Sequence, residues 1–282
     1  MRIVTHGTPA SFLARAGGFL GGQREAEHHL ILGVVAGLSA AAPESYLATV
    51  EDDERVVFAA MRTPPFPLAI SVTDERRATA LLARDRATGD PALPGVLGPP
   101  SEAGAFAAGY AELTGRRPTA GMRQSIHRLW RVVAPRRVEG RMRRALREDR
   151  GLVAEWLAAF EHDVRGTEPD HDGAAATAER WFTDTAGRAL YFWEVGERPV
   201  SMTGASGATP RGIRIGAVYT PPQDRGRGYA SNLVAAVSQA QLDAGRTFCF
   251  LYTDLANPTS NHIYRAVGYE PVSEAMEFVF AS

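Results

Sequence analysis

The stretch from Ile213 to Ala244 is the feature that most restricts how this chain can fold. An apolar segment with β-branched and aromatic residues ends at Thr220, and two prolines follow at once. Each proline disfavours helical backbone in the residue before it, so the segment predicts a strand. Apolar residues then recur at helical spacing up to Ala244, and Gly245 is placed to end that helix. A strand therefore passes through a short loop directly into a helix.

That loop contains Gly226 and Gly228, with Arg225 and Arg227 beside them. Glycine lets the main chain approach a ligand where a Cβ would collide. The first turn of a helix has N–H groups without intrahelical partners, and the helix dipole makes that end electropositive, so a phosphate or pyrophosphate fits there. Two other phosphate loops are excluded. A Walker loop needs a lysine, and all 31 Lys+Arg residues of the chain are arginine. A dinucleotide fingerprint needs a glycine where Ser231 stands.

Two blocks of sequence, Gln223 to Ala230 and Asn257 to Tyr269, carry a family resemblance. Gln-Asp-Arg-Gly-Arg-Gly-Tyr-Ala resembles the acyl-CoA pyrophosphate loop of the GNAT acetyltransferase superfamily, Gln/Arg-x-x-Gly-x-Gly/Ala. The second block resembles the later helix of that family, where Asn, a small residue, Tyr and Gly-aromatic follow at the same intervals. The order and spacing of the blocks also match. The resemblance covers about residues 141–282 and implies an acyl-CoA-dependent N-acetyltransferase.

The second block predicts a helix from its residues alone, because Asn257 can cap it and Pro258 suits its first position. Ser260 and Tyr264 follow Asn257 by three and seven residues and share one helix face. In the resembling enzymes the tyrosine lies near the acyl-CoA sulfur and protonates the departing thiolate. The resemblance therefore implies that Tyr264 is the catalytic general acid. The alternative is a half-buried helix aromatic without a chemical role.

The resemblance implies acetyl-CoA as co-substrate. Main-chain N–H groups near Val218 would face the thioester carbonyl and stabilise the developing oxyanion. The residues expected to contact the cofactor are Ala217, Val218, Tyr219, Gln223, Asp224, Arg225, Gly226, Arg227, Gly228, Tyr229, Ala230, Asn257 and Ser260.

The general base that must deprotonate an acceptor amine stays open. The resembling family often uses a carboxylate on the central strands, and the strand before the loop carries none. Glu194 and Asp254, each at the end of a predicted strand, are the available candidates. Glu161, His162 and Asp163 lie where the resembling fold walls the acceptor cleft. They could hold an amine or lie in a solvated loop.

The length of 282 residues predicts two domains, residues 1–138 and 139–282, joined near the charged segment 135–140. The fold class predicted is α/β (α+β), with tandem GNAT-like domains that each have a mixed, mostly antiparallel sheet flanked by helices. In the first domain, Asp74 and Glu75 follow a predicted strand and no glycine does, so that domain is expected to have lost its phosphate site. In the second, helices at 152–160 and 174–183 are predicted around an exposed loop at 161–173.

Composition excludes several classes of function. The net charge of −1 gives no global field for nucleic acid or an anionic membrane, and no apolar run is long enough to span a bilayer. The single cysteine, Cys249, excludes an internal disulfide and a multi-cysteine zinc site and is expected in the core. An arginine cluster at 136–144 could bind an anion or serve as a solvated connector. We expect a cytoplasmic, metal-free protein, either monomer or homodimer.

The sequence therefore predicts acetyl transfer from acetyl-CoA to an amine of a small molecule or a protein. A narrower alternative, suggested by the tandem layout, resembles mycothiol synthase. A third alternative is a regulatory module that binds acyl-CoA without catalysis. The acceptor and the preferred acyl chain length stay open.

Overall fold

The computed structural model describes residues 1–39, 44–166, 168–183 and 187–281. Its packing forms two compact units. Unit 1 contains Met1–His127, Tyr252–Asn257 and Pro271–Ser282, and unit 2 contains Arg128–Leu251 and Pro258–Glu270. The packing thus places the end of the chain in unit 1. The division of the chain at residue 138 stays a prediction.

Twelve strands and eight α-helices are found along the described residues. The strands are β1 (Arg2–Thr5), β2 (Tyr46–Asp52), β3 (Arg55–Arg62), β4 (Leu68–Ile70), β5 (Gly95–Gly98), β6 (Arg117–Leu129), β7 (Arg141–Arg144), β8 (Ala189–Val195), β9 (Arg198–Ser206), β10 (Gly212–Tyr219), β11 (Phe248–Asp254) and β12 (Glu270–Ala281). The helices are α1 (Pro9–Leu20), α2 (His29–Ala36), α3 (Arg76–Gly89), α4 (Pro100–Thr114), α5 (Arg150–Arg165), α6 (His171–Trp181), α7 (Tyr229–Asp243) and α8 (Pro258–Val267).

In unit 1 the strand order is β1-β2-β3-β4-β5-β12-β6. The β4–β5 pair is parallel, while the β1–β2, β2–β3, β3–β4 and β5–β12 pairs are antiparallel. Alternate residues of a strand face opposite sides of the sheet. Phe58 accordingly belongs to a hydrophobic cluster that includes residues of α3 and α4. Its neighbour Ala59 belongs to a different hydrophobic cluster, which includes residues of α1 and α2. Helices therefore cover both faces of the unit 1 sheet.

In unit 2 the strand order is β11-β10-β9-β8-β7, with β10 and β11 parallel and the remaining pairs antiparallel. Phe192 packs against α5 and α6, and its neighbour Trp193 packs in the cluster with α7 and α8. The predicted fold class, a mixed and mostly antiparallel sheet flanked by helices in each half, is confirmed.

Some predicted boundaries were wrong. The segment 161–173, predicted as an exposed loop, is helical at both ends, since α5 continues to Arg165 and α6 begins at His171. The polar residues at the start of this segment lie on a solvated face of α5. Helix α5 ends at its C-cap, Gly166, which has a φ of +66° and whose N–H donates to the His162 carbonyl. The short strand β1 was not predicted. It pairs along β2, a partner that lies far away in sequence.

A buried histidine, His28, binds the backbone just after β4 in unit 1. The Nδ1–H of His28 donates to the Leu20 carbonyl at 3.0 Å, and Nε2 accepts the Val72 N–H at 3.2 Å. The imidazole is 2% exposed and is therefore held neutral. Burial lowers the pKa of His28 to about 4, and the hydrogen bond that His28 donates to the Leu20 carbonyl partly opposes this shift. Beside it remains a cavity of about 40 Å³, with room for about three waters.

We expect the free energy of unfolding to fall as the pH drops from about 6.5 to about 4. The unfolded chain binds a proton on His28 in this window and the folded chain does not, so stability is lost as pH falls. At about 1.4 kcal/mol per pKa unit, the loss attributable to His28 is about 3 kcal/mol. Denaturant unfolding across this window should show a flatter slope for His28→Gln than for the parent or for the exposed control His171→Gln. An unchanged slope for His28→Gln would contradict this assignment.

Candidate active site

Strands β10 and β11 run side by side for only part of their length. Their parallel register extends from Gly212↔Phe248 to Arg214↔Phe250, although β10 continues to Tyr219. Past Arg214, the described residues show no further register between the two strands. The far half of β10 therefore presents backbone that is not paired with β11.

A β-bulge lies in that far half. The antiparallel register with β9 passes from Gly216↔Gly204 directly to Tyr219↔Met202, so Ala217 and Val218 have no partner in it. Ala217 has a φ of +51°, an uncommon value for a residue with a side chain. A bulge bends a strand and redirects its backbone groups, and such strain is often found at functional sites. Ala217, Val218 and Tyr219, which the sequence placed at the cofactor, lie at this irregularity.

Two hydroxyl side chains on β9 support the bulge. The Thr203 hydroxyl donates to the Gly216 carbonyl at 3.1 Å, and the Ser201 hydroxyl donates to the Tyr219 carbonyl at 3.1 Å. Ser201 Oγ also lies 2.9 Å from Thr220 Oγ1. These positioning residues could not be predicted from the sequence, because their partners lie on a neighbouring strand.

The loop after β10 has the backbone that the sequence predicted. Gly226 has a φ of +74° and Gly228 a φ of +83°, and Gly228 lies at the N-cap of α7. A Cβ added at Gly226 would meet no protein atom within 4 Å, so its side-chain position opens into free space. A Cβ at Gly228 would lie 3.3 Å from Val138 Cγ1. The loop therefore leads into the N-terminal turn of α7, at Tyr229, Ala230 and Ser231, with space in front of it.

An ion pair between an exposed arginine and a buried carboxylate fixes this loop. The Arg198 guanidinium donates to both carboxylate oxygens of Asp224, at 2.7 and 2.9 Å, and Asp224 is 1% exposed. Hydrogen bonding from Arg198 holds the pKa of Asp224 below its usual value. The sequence placed Asp224 among the cofactor contacts. In the structure the Asp224 carboxylate anchors the loop by binding Arg198. Only the main chain of Asp224 is therefore left to contact a ligand.

The two arginines of the loop differ in their surroundings. Arg225 Nη2 lies 2.5 Å from an Asp163 carboxylate oxygen on α5, and Arg225 Nε donates to the Thr220 carbonyl. Arg227 is exposed and takes part in none of the ion pairs found among the described residues. Gln223 is also exposed. Positive charge at the loop is thus shared between one arginine bound to a carboxylate and one facing solvent.

Tyr264 lies on α8 inside the unit 2 core. Its side chain is 7% exposed and packs edge-on against Tyr269, with ring centroids 6.1 Å apart. Burial raises the pKa of Tyr264 to about 12, while a hydrogen bond with Ser260 works in the opposite direction. The phenol therefore keeps its proton across the neutral range. Asn257, the third residue of the predicted block, is exposed and immediately precedes α8.

The candidates for the general base are engaged elsewhere. Glu194 is 5% exposed and pairs with Arg143 at 2.5 Å and Arg141 at 3.8 Å, so it supports the β7–β8 edge. Asp254 accepts the Ala256 N–H at 2.9 Å in the turn after β11. Asp163 is paired with Arg225, and Glu161 and His162 are exposed on α5. These contacts leave the base unidentified.

Cys249 is fully buried, and burial raises the pKa of its thiol to about 12, which suits a core residue and not a nucleophile. Among the described residues, no three His, Cys, Asp or Glu side chains are grouped so as to hold a metal ion. No helix in the same residues combines the length and apolar character needed to cross a membrane.

Sequence comparison finds a family match in the C-terminal half of the chain. Residues 197–279, which include the bulge, the loop, α7 and α8, match the family model described as FR47-like protein. Among curated proteins, none matches the chain by sequence.

Solved structures resemble the whole chain. A tandem GNAT protein from the clavulanic acid biosynthesis pathway superposes with a TM-score of 0.59 at 14% identity, over 100% of this chain and 98% of that chain. A GCN5-related N-acetyltransferase from Sphaerobacter thermophilus gives 0.57 at 18% identity, over 98% and 94%. A GNAT-family acetyltransferase from Colwellia psychrerythraea gives 0.56 at 12% identity, over 100% of both chains. The chain therefore has the tandem GNAT acetyltransferase fold, with the FR47-like sequence in its C-terminal half.

Proposed function

We propose that the protein is an N-acetyltransferase that carries acetyl from acetyl-CoA directly to an amine. One observation carries the proposal: the separation of β10 from β11 stands directly before a glycine loop at the start of α7. The gap between the two strands can take an extended ligand whose amide groups form hydrogen bonds with the unpaired part of β10. The helix start offers N–H groups for the phosphates at one end of that chain.

The residues of the loop fit a pyrophosphate. Both glycines have positive φ, and the space in front of Gly226 is free of protein atoms, so a charged group can reach the main chain. Arg227 adds an exposed positive charge. The one carboxylate inside the loop, Asp224, is neutralised by Arg198 and so does not repel an anion.

The bulge on β10 would then serve the reacting carbonyl. Ala217 and Val218 are outside the register with β9, and β11 does not pair with this part of the strand. A main-chain N–H held in this way can donate to the oxygen that becomes negative during attack on a thioester, without having to reorganise. Thr203 and Ser201 hold the carbonyls on either side of the bulge and fix its orientation.

Tyr264 would supply the proton for the departing CoA thiolate. Its pKa of about 12 means that the phenol remains protonated and available as a donor at neutral pH. Bound acetyl-CoA supplies the activated thioester, and the protein holds it beside the amine. Such positioning can be worth roughly 7–11 kcal/mol of the activation barrier. A water chain or a group of the acceptor itself can remove the amine proton.

Replacing Gly226 by glutamate should abolish acetyl-CoA binding without unfolding the protein. The change adds bulk and negative charge where phosphate is expected, in space that no protein atom occupies. Gly245→Glu is the matched control, because Gly245 also has a positive φ, +93°, and open space, but lies just after the opposite end of α7. Calorimetry should show binding in the control at the parental affinity. Equal binding by the Gly226 variant would refute the phosphate site.

Substituting Tyr264→Phe should lower turnover by on the order of 100-fold while leaving acetyl-CoA affinity unchanged, as expected for loss of a general acid. The control is Tyr269→Phe, which removes a buried hydroxyl that lies 2.7 Å from Ser238 Oγ. It should reduce stability but not the rate. Release of free CoA in the presence of an amine panel measures the rate. If the protein only binds acyl-CoA, the parent and both variants will release none, and the enzymatic proposal fails.

A further inference from the structure

The segment 131–140, which includes the charged stretch predicted to join the two domains, is held against unit 2 by its main chain. The Val133 N–H donates to the Val267 carbonyl at 2.8 Å, so the segment begins beside the end of α8. Near its other end, Trp193 Nε1 donates to the Glu139 carbonyl at 2.9 Å. The whole segment belongs to unit 2. It is therefore a packed part of that unit and not a free connector.

Between these two contacts the segment passes beside the start of α7. Asn232, in the first turn of that helix, donates from Nδ2 to the Arg136 carbonyl at 3.0 Å and to the Gly228 carbonyl at 2.9 Å. A Cβ added at Gly228 would lie 3.3 Å from Val138 Cγ1. The main chain from Arg136 to Val138 therefore lies against the end of the glycine loop, beside the position proposed above for the pyrophosphate.

Arg136 and Arg137 bring two positive charges to this position. Both residues are exposed, and neither takes part in an ion pair found in the described parts of the chain. The nearest carboxylate along the sequence, Glu139, is exposed and is likewise absent from those ion pairs. A guanidinium can donate two parallel hydrogen bonds to a phosphate. The two arginines are thus available to an external phosphate group next to the loop.

We propose that Arg136 and Arg137 bind the 3′-phosphate of acetyl-CoA, an inference that rests on the acetyl-CoA site proposed above. The ribose of CoA carries this phosphate on its 3′ oxygen and the pyrophosphate on its 5′ carbon. A pyrophosphate at the start of α7 therefore brings the third phosphate close to the segment 131–140. The N–H groups of the first helical turn serve the pyrophosphate, so the third phosphate needs other donors. The two arginines make the site selective for CoA over its 3′-dephospho form.

Calorimetric titration of the full chain with acetyl-CoA and with acetyl-3′-dephospho-CoA tests the proposal. We expect the parent to bind acetyl-CoA at least about tenfold more tightly, because only acetyl-CoA makes the charge-assisted hydrogen bonds to the arginines. The double variant Arg136→Gln/Arg137→Gln should bind both compounds with the affinity that the parent shows for the dephospho compound. The preference of the parent should also decrease as the salt concentration rises, because salt screens exposed charges.

Arg131→Gln is the matched control, because Arg131 is an exposed arginine at the other end of the same segment. A Cβ added at Gly268 would lie 2.9 Å from the Arg131 carbonyl. The residue after Gly268, Tyr269, has its hydroxyl 2.7 Å from Ser238 Oγ on α7. Ser238 is ten residues beyond Gly228, roughly 15 Å along the helix axis at 1.5 Å per residue. Arg131→Gln should therefore keep the parental preference for acetyl-CoA.

Three results would overturn the inference while leaving the proposed function intact, since acetyl-CoA still binds in each of them. In the first, the parent binds the two compounds equally. In the second, the double variant keeps the parental preference. In the third, Arg131→Gln removes the preference as completely as the double variant does. If the folded parent binds neither compound, the proposed function fails and the inference fails with it.

Discussion

The separation of β10 from β11 after Arg214 is the constraint on which the rest of the site depends. Paired strands satisfy each other's backbone groups, so an interrupted pairing costs free energy unless another partner takes the exposed groups. The chain maintains the interruption with a bulge at Ala217 and with hydroxyls on β9 that hold the flanking carbonyls. A ligand with amides of its own could complete the unpaired edge. In our proposal this ligand is acyl-CoA, which binds alongside the unpaired part of β10.

The electrostatics of the loop follow from how its own carboxylate is used. Asp224 would oppose phosphate binding if it faced the front of the loop, but it is buried against Arg198 instead. The helix start and Arg227 then act on an anion without a competing negative charge. Unit 1 offers a contrast within the same chain. There Glu75 precedes α3, no glycine follows β4, and the His28 imidazole takes the Val72 N–H. In unit 1 a protein side chain thus accepts the backbone N–H that follows β4, whereas in unit 2 the far half of β10 is not paired with β11.

The sequence predicted the parts of this structure that are encoded locally. The structure confirms the predicted strand at 213–220, the loop after it, and helices α7 and α8. The boundaries agree within a residue or two, because hydrophobic periodicity and glycine positions determine structure over short distances along the chain. What it missed depends on partners distant along the chain. Arg198 and Asp224 belong to different elements, and the local sequence around each residue does not predict that they pair. Similarly, the placement of β12 beside β5 follows from packing and leaves no mark in local composition.

The most direct test of the account is the midpoint of thermal unfolding measured against acetyl-CoA concentration. A ligand that binds only the folded state raises stability by RT ln(1 + [L]/Kd), about 2.7 kcal/mol at one hundred times Kd. We predict a saturable rise with acetyl-CoA, which Gly226→Glu eliminates and Gly245→Glu retains. A folded protein whose midpoint does not change with acetyl-CoA or with longer acyl-CoAs would contradict the assignment of the open strand edge and glycine loop as an acyl-CoA site.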